Sequence, residues 1–145
     1  MGDSPVVHHG LRLAGLWVAW LIVMLFHVEL GLMPLFHGIS VEIKTHISAG
    51  RLPRIFLAML FYFLLPVLAL LLVVHAISSP GSWSNSVAMK AGQFWFSLVY
   101  SATNVMHWIA DIRIPDSRAD QVILMSVLTV IGFLINYEAW SWWHP

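Results

Sequence analysis

The chain contains no cysteine, which excludes disulfides, thiolate metal centres, iron–sulfur clusters and c-type haem attachment. It is short of charge as well. Only 10% of its 145 residues are Asp, Glu, Lys or Arg, seven of each sign, so the formal net charge is zero. A soluble domain carries about 25% charged residues because its surface must be solvated, and this chain falls far below that. The zero balance also removes the basic footprint on which nucleic-acid binding depends, so nucleic acid is not expected as a partner. No serine sits in a Gly-x-Ser-x-Gly elbow and no cysteine nucleophile exists, which argues against a soluble-type hydrolase.

What the chain has in abundance is apolar sequence. Hydrophobic residues make up 59% of it, gathered in four runs at roughly Leu13–Phe36, Leu52–Ile77, Val87–Ala110 and Gln121–Trp143. Each is about 23 to 26 residues long, and an α-helix crosses a ~30 Å hydrocarbon core in ~20 residues. The pattern predicts an all-α integral membrane protein, an up-down bundle of four transmembrane helices forming one domain over 1–145. The lipid bilayer is then its first partner. The first run is expected to be retained rather than cleaved. Arg12 is the only Lys or Arg before it, it is long for a signal-peptide core, and no small-x-small site follows near 30–38.

Four spans put both termini on one side and the 37–51 and 111–120 loops on the other. The loop side carries Lys44, Arg51, Arg54, Arg113 and Arg118, and the terminal side only Arg12 and Lys90. Cytoplasmic loops retain Lys and Arg, so the termini are expected to be extracytoplasmic. Trp17, Trp20, Trp83, Trp140, Trp142 and Trp143 all fall toward the terminal side and read as an interfacial indole belt.

Among the connections, Pro34 and Gly38 should end the first helix. Ser40 can cap a short interfacial amphipathic segment, Val41–Ile47, bearing Glu42, Lys44 and His46. Ser78–Ser82 is rich in turn formers. Pro115-Asp116-Ser117, with Asp120 three residues after Ser117, predicts a turn and a capping box. Pro66 should kink the second span.

The third run holds the most informative pattern. Gln93, Ser97, Tyr100, Asn104, His107 and Asp111 follow one another at spacings of 4, 3, 4, 3 and 4. Residues three and four apart stack on one helix face, and six polar side chains cannot face lipid cheaply. This face is expected to look into protein or water. A weaker stripe in the fourth run, Gln121, Thr129, Gly132 and Asn136 with Met125 between, suits close helix approach. The second run is almost purely apolar until His75 and should be the most lipid-exposed helix.

In the first run His27 lies on the stripe Trp20, Met24, His27, Gly31, Pro34. Glu29 is about 200° around the helix from it at ~100° per residue, so the two diverge. Topology nevertheless gathers His27, Glu29, His37, Glu42, His46, His107 and Asp111 in one half of the bundle. Imidazoles with carboxylates suit Zn, Fe, Mn or Cu(II), and His107 with Asp111 forms an i, i+4 pair. The predicted metal ligands are His27, His107 and Asp111, with Glu29 or His37 completing the shell. A b-type haem between His27 and His107 is the alternative cofactor. The competing structural reading is that buried histidines fix helix register while Asp111 pairs with Arg113 or Arg118. No His-x-x-x-His or Glu-x-x-His pair occurs, and His75 and Glu138 read as isolated interfacial residues.

Three functions follow from these features. The first is an accessory subunit of a larger membrane complex, meeting other subunits through the polar faces of the third and fourth spans. The second is a metal- or haem-binding redox or hydroxylating protein built on His27, His107 and Asp111. The third is an oligomeric ion or small-solute transporter lined by the third-span stripe. No catalytic residue is assigned.

Overall fold

The computed structural model describes residues 5–39, 49–79, 81–113 and 118–144, and every regular element among them is helical. Four long helices dominate: α1 (Pro5–Leu32), α2 (Leu52–Ser78), α3 (Val87–Arg113) and α4 (Ala119–Trp143). Three of them, α1 together with the turn that follows it, α2 and α4, are long and apolar enough to cross a membrane. The segment Val41–Ile47 and the turn Pro115–Ser117 lie outside the described residues.

α1 starts eight residues before the predicted Leu13, with Pro5 in its first turn, where a missing N–H costs nothing. At its other end Pro34 sits in a tighter 3₁₀ turn, Met33–His37. Gly38 closes that turn in the left-handed region at φ 69°, its N–H donating to the Leu35 carbonyl. Glycine adopts this conformation without a Cβ penalty. α2 runs unbroken through Pro66. Proline has no N–H for the carbonyl four residues back, which is that of Tyr62, and the Tyr100 hydroxyl donates to this carbonyl instead at 3.0 Å.

The closely packed helix pairs are α3 with α4, α1 with α4, and α1 with α2. Small residues make the first of these possible. A Cβ added to Gly132 on α4 would stand 2.9 Å from Ser101 Oγ on α3, and Ser101 also donates to Asn136 at 3.3 Å. Small and hydroxyl side chains of this kind let helices approach and bond across the contact. α2 and α3 meet instead through long side chains. Tyr62 stacks on Tyr100 with ring centroids 4.7 Å apart, and Gln93 Nε2 donates to the Ala69 carbonyl at 2.9 Å.

The polar stripe of α3 faces inward as its spacing predicts, with Gln93, Ser97, Tyr100 and Asn104 all buried. Met125, Thr129 and Gly132 of α4 are buried with it. α2 is the least enclosed of the three apolar helices: 17% of its most apolar stretch is buried, against 39% for α4.

The tryptophans correct the predicted belt. Trp17, Trp20 and Trp142 are fully buried. Trp17 and Trp20 meet Tyr100 edge to face at 6.2 and 5.1 Å, filling the centre between α1 and α3. Trp83 and Trp140 do point outward. Position along the chain puts an indole at a given height in the bundle; which way it points depends on helix phase, and Trp17, Trp20 and Trp142 share the inner phase.

Candidate metal centre

α1 buries Trp20, Met24 and His27 on one face, successive residues three and four apart. The α3 stripe continues past Asn104 by one turn to His107 and one more to Asp111. Where the two faces meet, three candidate ligands of two types converge from positions some 80 residues apart in sequence. His27 Nε2 lies 3.9 Å from Asp111 Oδ2, and His107 Nε2 lies 3.5 Å from Asp111 Oδ1. The carboxylate thus turns one oxygen to each histidine. The imidazoles stand edge to face with centroids 5.5 Å apart, and one ligand atom from each residue can be chosen so that all lie within 4.8 Å of one another.

Two atoms of this group make no hydrogen bond. Among the described residues, His27 Nδ1 and Asp111 Oδ2 are buried and accept or donate no hydrogen bond. A buried polar atom without a partner costs about 1–3 kcal/mol, more when charged, and native structures supply a protein group, a water or an ion at most such positions. Tetrahedral bonds of about 2.0–2.2 Å to nitrogen and oxygen put neighbouring ligand atoms roughly 3.4 Å apart. The 3.5 and 3.9 Å contacts run to different oxygens of Asp111, and the ligand atoms of the group lie within 4.8 Å, so ligation draws the side chains together by up to about 1.4 Å.

Burial is uneven across the group. The His27 and Asp111 side chains are 10% and 13% exposed, whereas His107 is 50% exposed. The group is therefore anchored inside the bundle and open on the His107 side. Two imidazoles and one carboxylate form a donor set for Zn(II), Fe(II), Mn(II) or Cu(II), with positions left for water or another ligand. The edge-to-face contact of the two rings leaves no slot for a porphyrin plane, which favours a bare ion over haem.

The other expected ligands stand apart. Glu29 and His37 are exposed and outside the three-residue group. Arg118 is not held by Asp111. Its Nη2 and Nε bind Asp120 at 2.6 and 3.0 Å, and its Nη1 reaches the Leu30 carbonyl at 3.1 Å. Those contacts tie the start of α4 to the end of α1, one turn from His27. Gln93, Ser97, Tyr100 and Asn104 lie in the same stripe but serve the packing of α3.

A second ionisable cluster corrects the reading of Glu138 as isolated. Glu138 is buried, with His9 Nδ1 2.7 Å from its Oε2 and Arg12 Nη1 3.8 Å from its Oε1. The sequence carries one trace of this. Ile135, Glu138, Ala139 and Trp142 follow the 3 and 4 spacing of the inner face of α4, so a carboxylate at 138 must be buried and paired. No protein-family model, curated protein or solved structure matches the chain.

Proposed function

We propose that the chain is a multi-pass membrane protein in which all four helices span the bilayer and the α1–α3 junction binds one divalent transition-metal ion. Its ligands are His27, His107 and Asp111. The observation that carries the metal assignment is the convergence of two imidazoles and one carboxylate with ligand atoms within 4.8 Å of one another, among them the buried Asp111 Oδ2, which accepts no hydrogen bond.

The fourth span rests on where α3 places its polar residues. Averaged along its length α3 is less apolar than the other three helices because Gln93, Ser97, Ser101 and Asn104 lie inside. Its outward residues include Trp95, Val99, Met106 and Ile112, all more than half exposed. An apolar outer face with polar groups turned inward is the arrangement a bilayer demands. The distribution of Lys and Arg supports cytoplasmic 37–51 and 111–120 loops and extracytoplasmic termini.

The half-exposed His107 favours a second, compatible reading, that of an accessory subunit in a larger membrane complex. A metal with three protein ligands and one open flank can complete its coordination with a group from a neighbouring subunit.

Metal analysis of protein extracted in mild detergent tests the first reading. One equivalent of metal is expected per chain, falling to background in His27→Ala and Asp111→Asn. A folded wild-type protein that carries no metal and takes up none from Zn(II), Mn(II), Fe(II) or Cu(II) overturns it. Blue-native electrophoresis tests the second, which fails if the protein migrates only as a monomer or small homo-oligomer.

A further inference from the structure

The seam between α1 and α4 carries a groove of about 380 Å³ near the chain termini. Arg12, Gly15 and Leu16 of α1 line it together with Leu134 and Glu138 of α4. Leu16 follows Arg12 by four residues, and Leu134 precedes Glu138 by four. The two helices run in opposite directions, since His9 meets Glu138 at one end and Gly31 faces Gln121 at the other. Each leucine therefore lies one helical turn, about 5.4 Å, further from the chain ends than its charged neighbour. The groove is charged at its outer end and apolar at its inner end. Gly15 keeps its wall low, because a Cβ there would meet nothing within 4 Å.

The charges at the outer end are only partly used. Glu138 Oε2 takes the 2.7 Å contact with His9 Nδ1, while Oε1 meets Arg12 Nη1 at 3.8 Å, beyond hydrogen-bond reach. Oε1 makes no hydrogen bond among the described residues, yet it is not sealed in as the closed, unbonded atoms are. The Arg12 side chain is 65% exposed, which leaves most of its fork of N–H donors open to a further partner.

We propose that this groove seats one phospholipid of the ethanolamine class. Its phosphate accepts from the outward N–H groups of Arg12, and its ammonium donates to Glu138 Oε1. One acyl chain runs past Gly15 between Leu16 and Leu134. Charge complementarity selects the occupant. A cation and an anion 3.8 Å apart match a headgroup whose own anion and cation are joined by a short ethylene linker. A phosphate headgroup without an ammonium offers Glu138 no donor, and a trimethylated ammonium has no N–H to give. The charged pair lies within two turns of the helix ends, the height at which headgroups meet a spanning helix. The inference rests on the bilayer reading above and is independent of the metal centre.

The test compares dioleoyl phosphatidylethanolamine, phosphatidylcholine and phosphatidylglycerol, which share their acyl chains and differ in headgroup. Each is added to the full-length protein in amine-oxide micelles, and bound lipid is counted by native mass spectrometry. The ethanolamine lipid is expected to bind about five- to tenfold more tightly than either of the others, the range of one charge-assisted hydrogen bond at a partly exposed site. Glu138→Gln should bring the ethanolamine and choline lipids level. Arg12→Gln should weaken both, since both carry the phosphate. Gly15→Leu fills the groove with both charges in place, guards against a folding defect at Glu138, and should weaken all three lipids. Equal binding of the ethanolamine and choline lipids by the wild type overturns the proposal. So does tighter binding of the glycerol lipid, or binding that neither Arg12→Gln nor Gly15→Leu reduces. A chain recovered without detergent in the soluble fraction overturns the bilayer reading as well.

Discussion

Tyr100 donates its phenolic hydroxyl to the backbone carbonyl of Tyr62, the carbonyl that Pro66 leaves without its helical donor. A residue of α3 thereby repairs a defect in α2. Removing the hydroxyl in Tyr100→Phe should cost about 1 kcal/mol, toward the upper part of the range for bonds between membrane helices. In a Pro66→Ala background the restored N–H satisfies the carbonyl, and the same substitution should cost much less. A double-mutant cycle on unfolding in mixed micelles measures the coupling. Additive effects would mean that the bond does not serve this purpose.

The α3–α4 contact depends on a missing side chain at Gly132. Gly132→Leu must push Ser101 aside from 2.9 Å, and overpacking of this kind costs about 1–3 kcal/mol. Gly15→Leu is the control, since a Cβ there meets nothing within 4 Å. Melting temperature should fall sharply for the first and stay near wild type for the second. Equal losses would show that the close approach is not what stabilises the pair.

At the other end of the bundle, Glu138 relies on His9 more than on Arg12. The His9 contact is 2.7 Å; the Arg12 contact is 3.8 Å, and the Arg12 side chain is 65% exposed. His9→Ala strands a buried carboxylate and should cost ~3 kcal/mol, whereas Arg12→Ala should cost under ~1 kcal/mol. His9→Ala combined with Glu138→Leu should recover much of the loss, because the charge then left unpaired, Arg12, is exposed and not buried. Chemical unfolding of the four proteins decides it, and a larger loss for Arg12→Ala reverses the assignment.

Metal binding should weaken as pH falls. An imidazole ligates only when neutral, and its ordinary pKa is about 6.5. Protons and metal compete for the same imidazole nitrogen, so acidification should weaken binding, and less steeply in His107→Ala, where one such ligand is gone. Metal titrations between pH 5 and 8 provide the measurement, and an affinity that does not fall toward the acid end would count against imidazole ligation.

Much of this arrangement was legible in residue spacing. The 4, 3, 4, 3, 4 run from Gln93 to Asp111 placed four side chains inside, and the 200° between His27 and Glu29 separated the buried residue from the exposed one. Of the four expected spans, α3 is the one whose average falls short of an apolar crossing helix, because its inward polar residues lower it. Direction was harder again for the tryptophans, since an indole serves equally well in a core or at an interface. The His9–Glu138 pair spans 129 residues, and no local period links its members. Which carboxylate Arg118 would choose also depended on tertiary detail, and adjacent Asp120 took it. The capping box at Ser117 lies outside the described residues.

α1 carries one histidine into each ionisable cluster, His9 toward Glu138 and His27 toward Asp111. They are 18 residues apart, five turns at ~3.6 residues per turn and about 27 Å along the axis. Both therefore emerge from the same side of the helix. α1 acts as a key cut at two points and seated in two locks at once. It cannot rotate to reposition His27 without withdrawing His9 from a buried carboxylate. One inserted residue between them would turn the two imidazoles ~100° out of phase and leave one cluster empty. The phase of a single helix thus couples the two ends of the bundle, and α1 is held against both rolling and sliding.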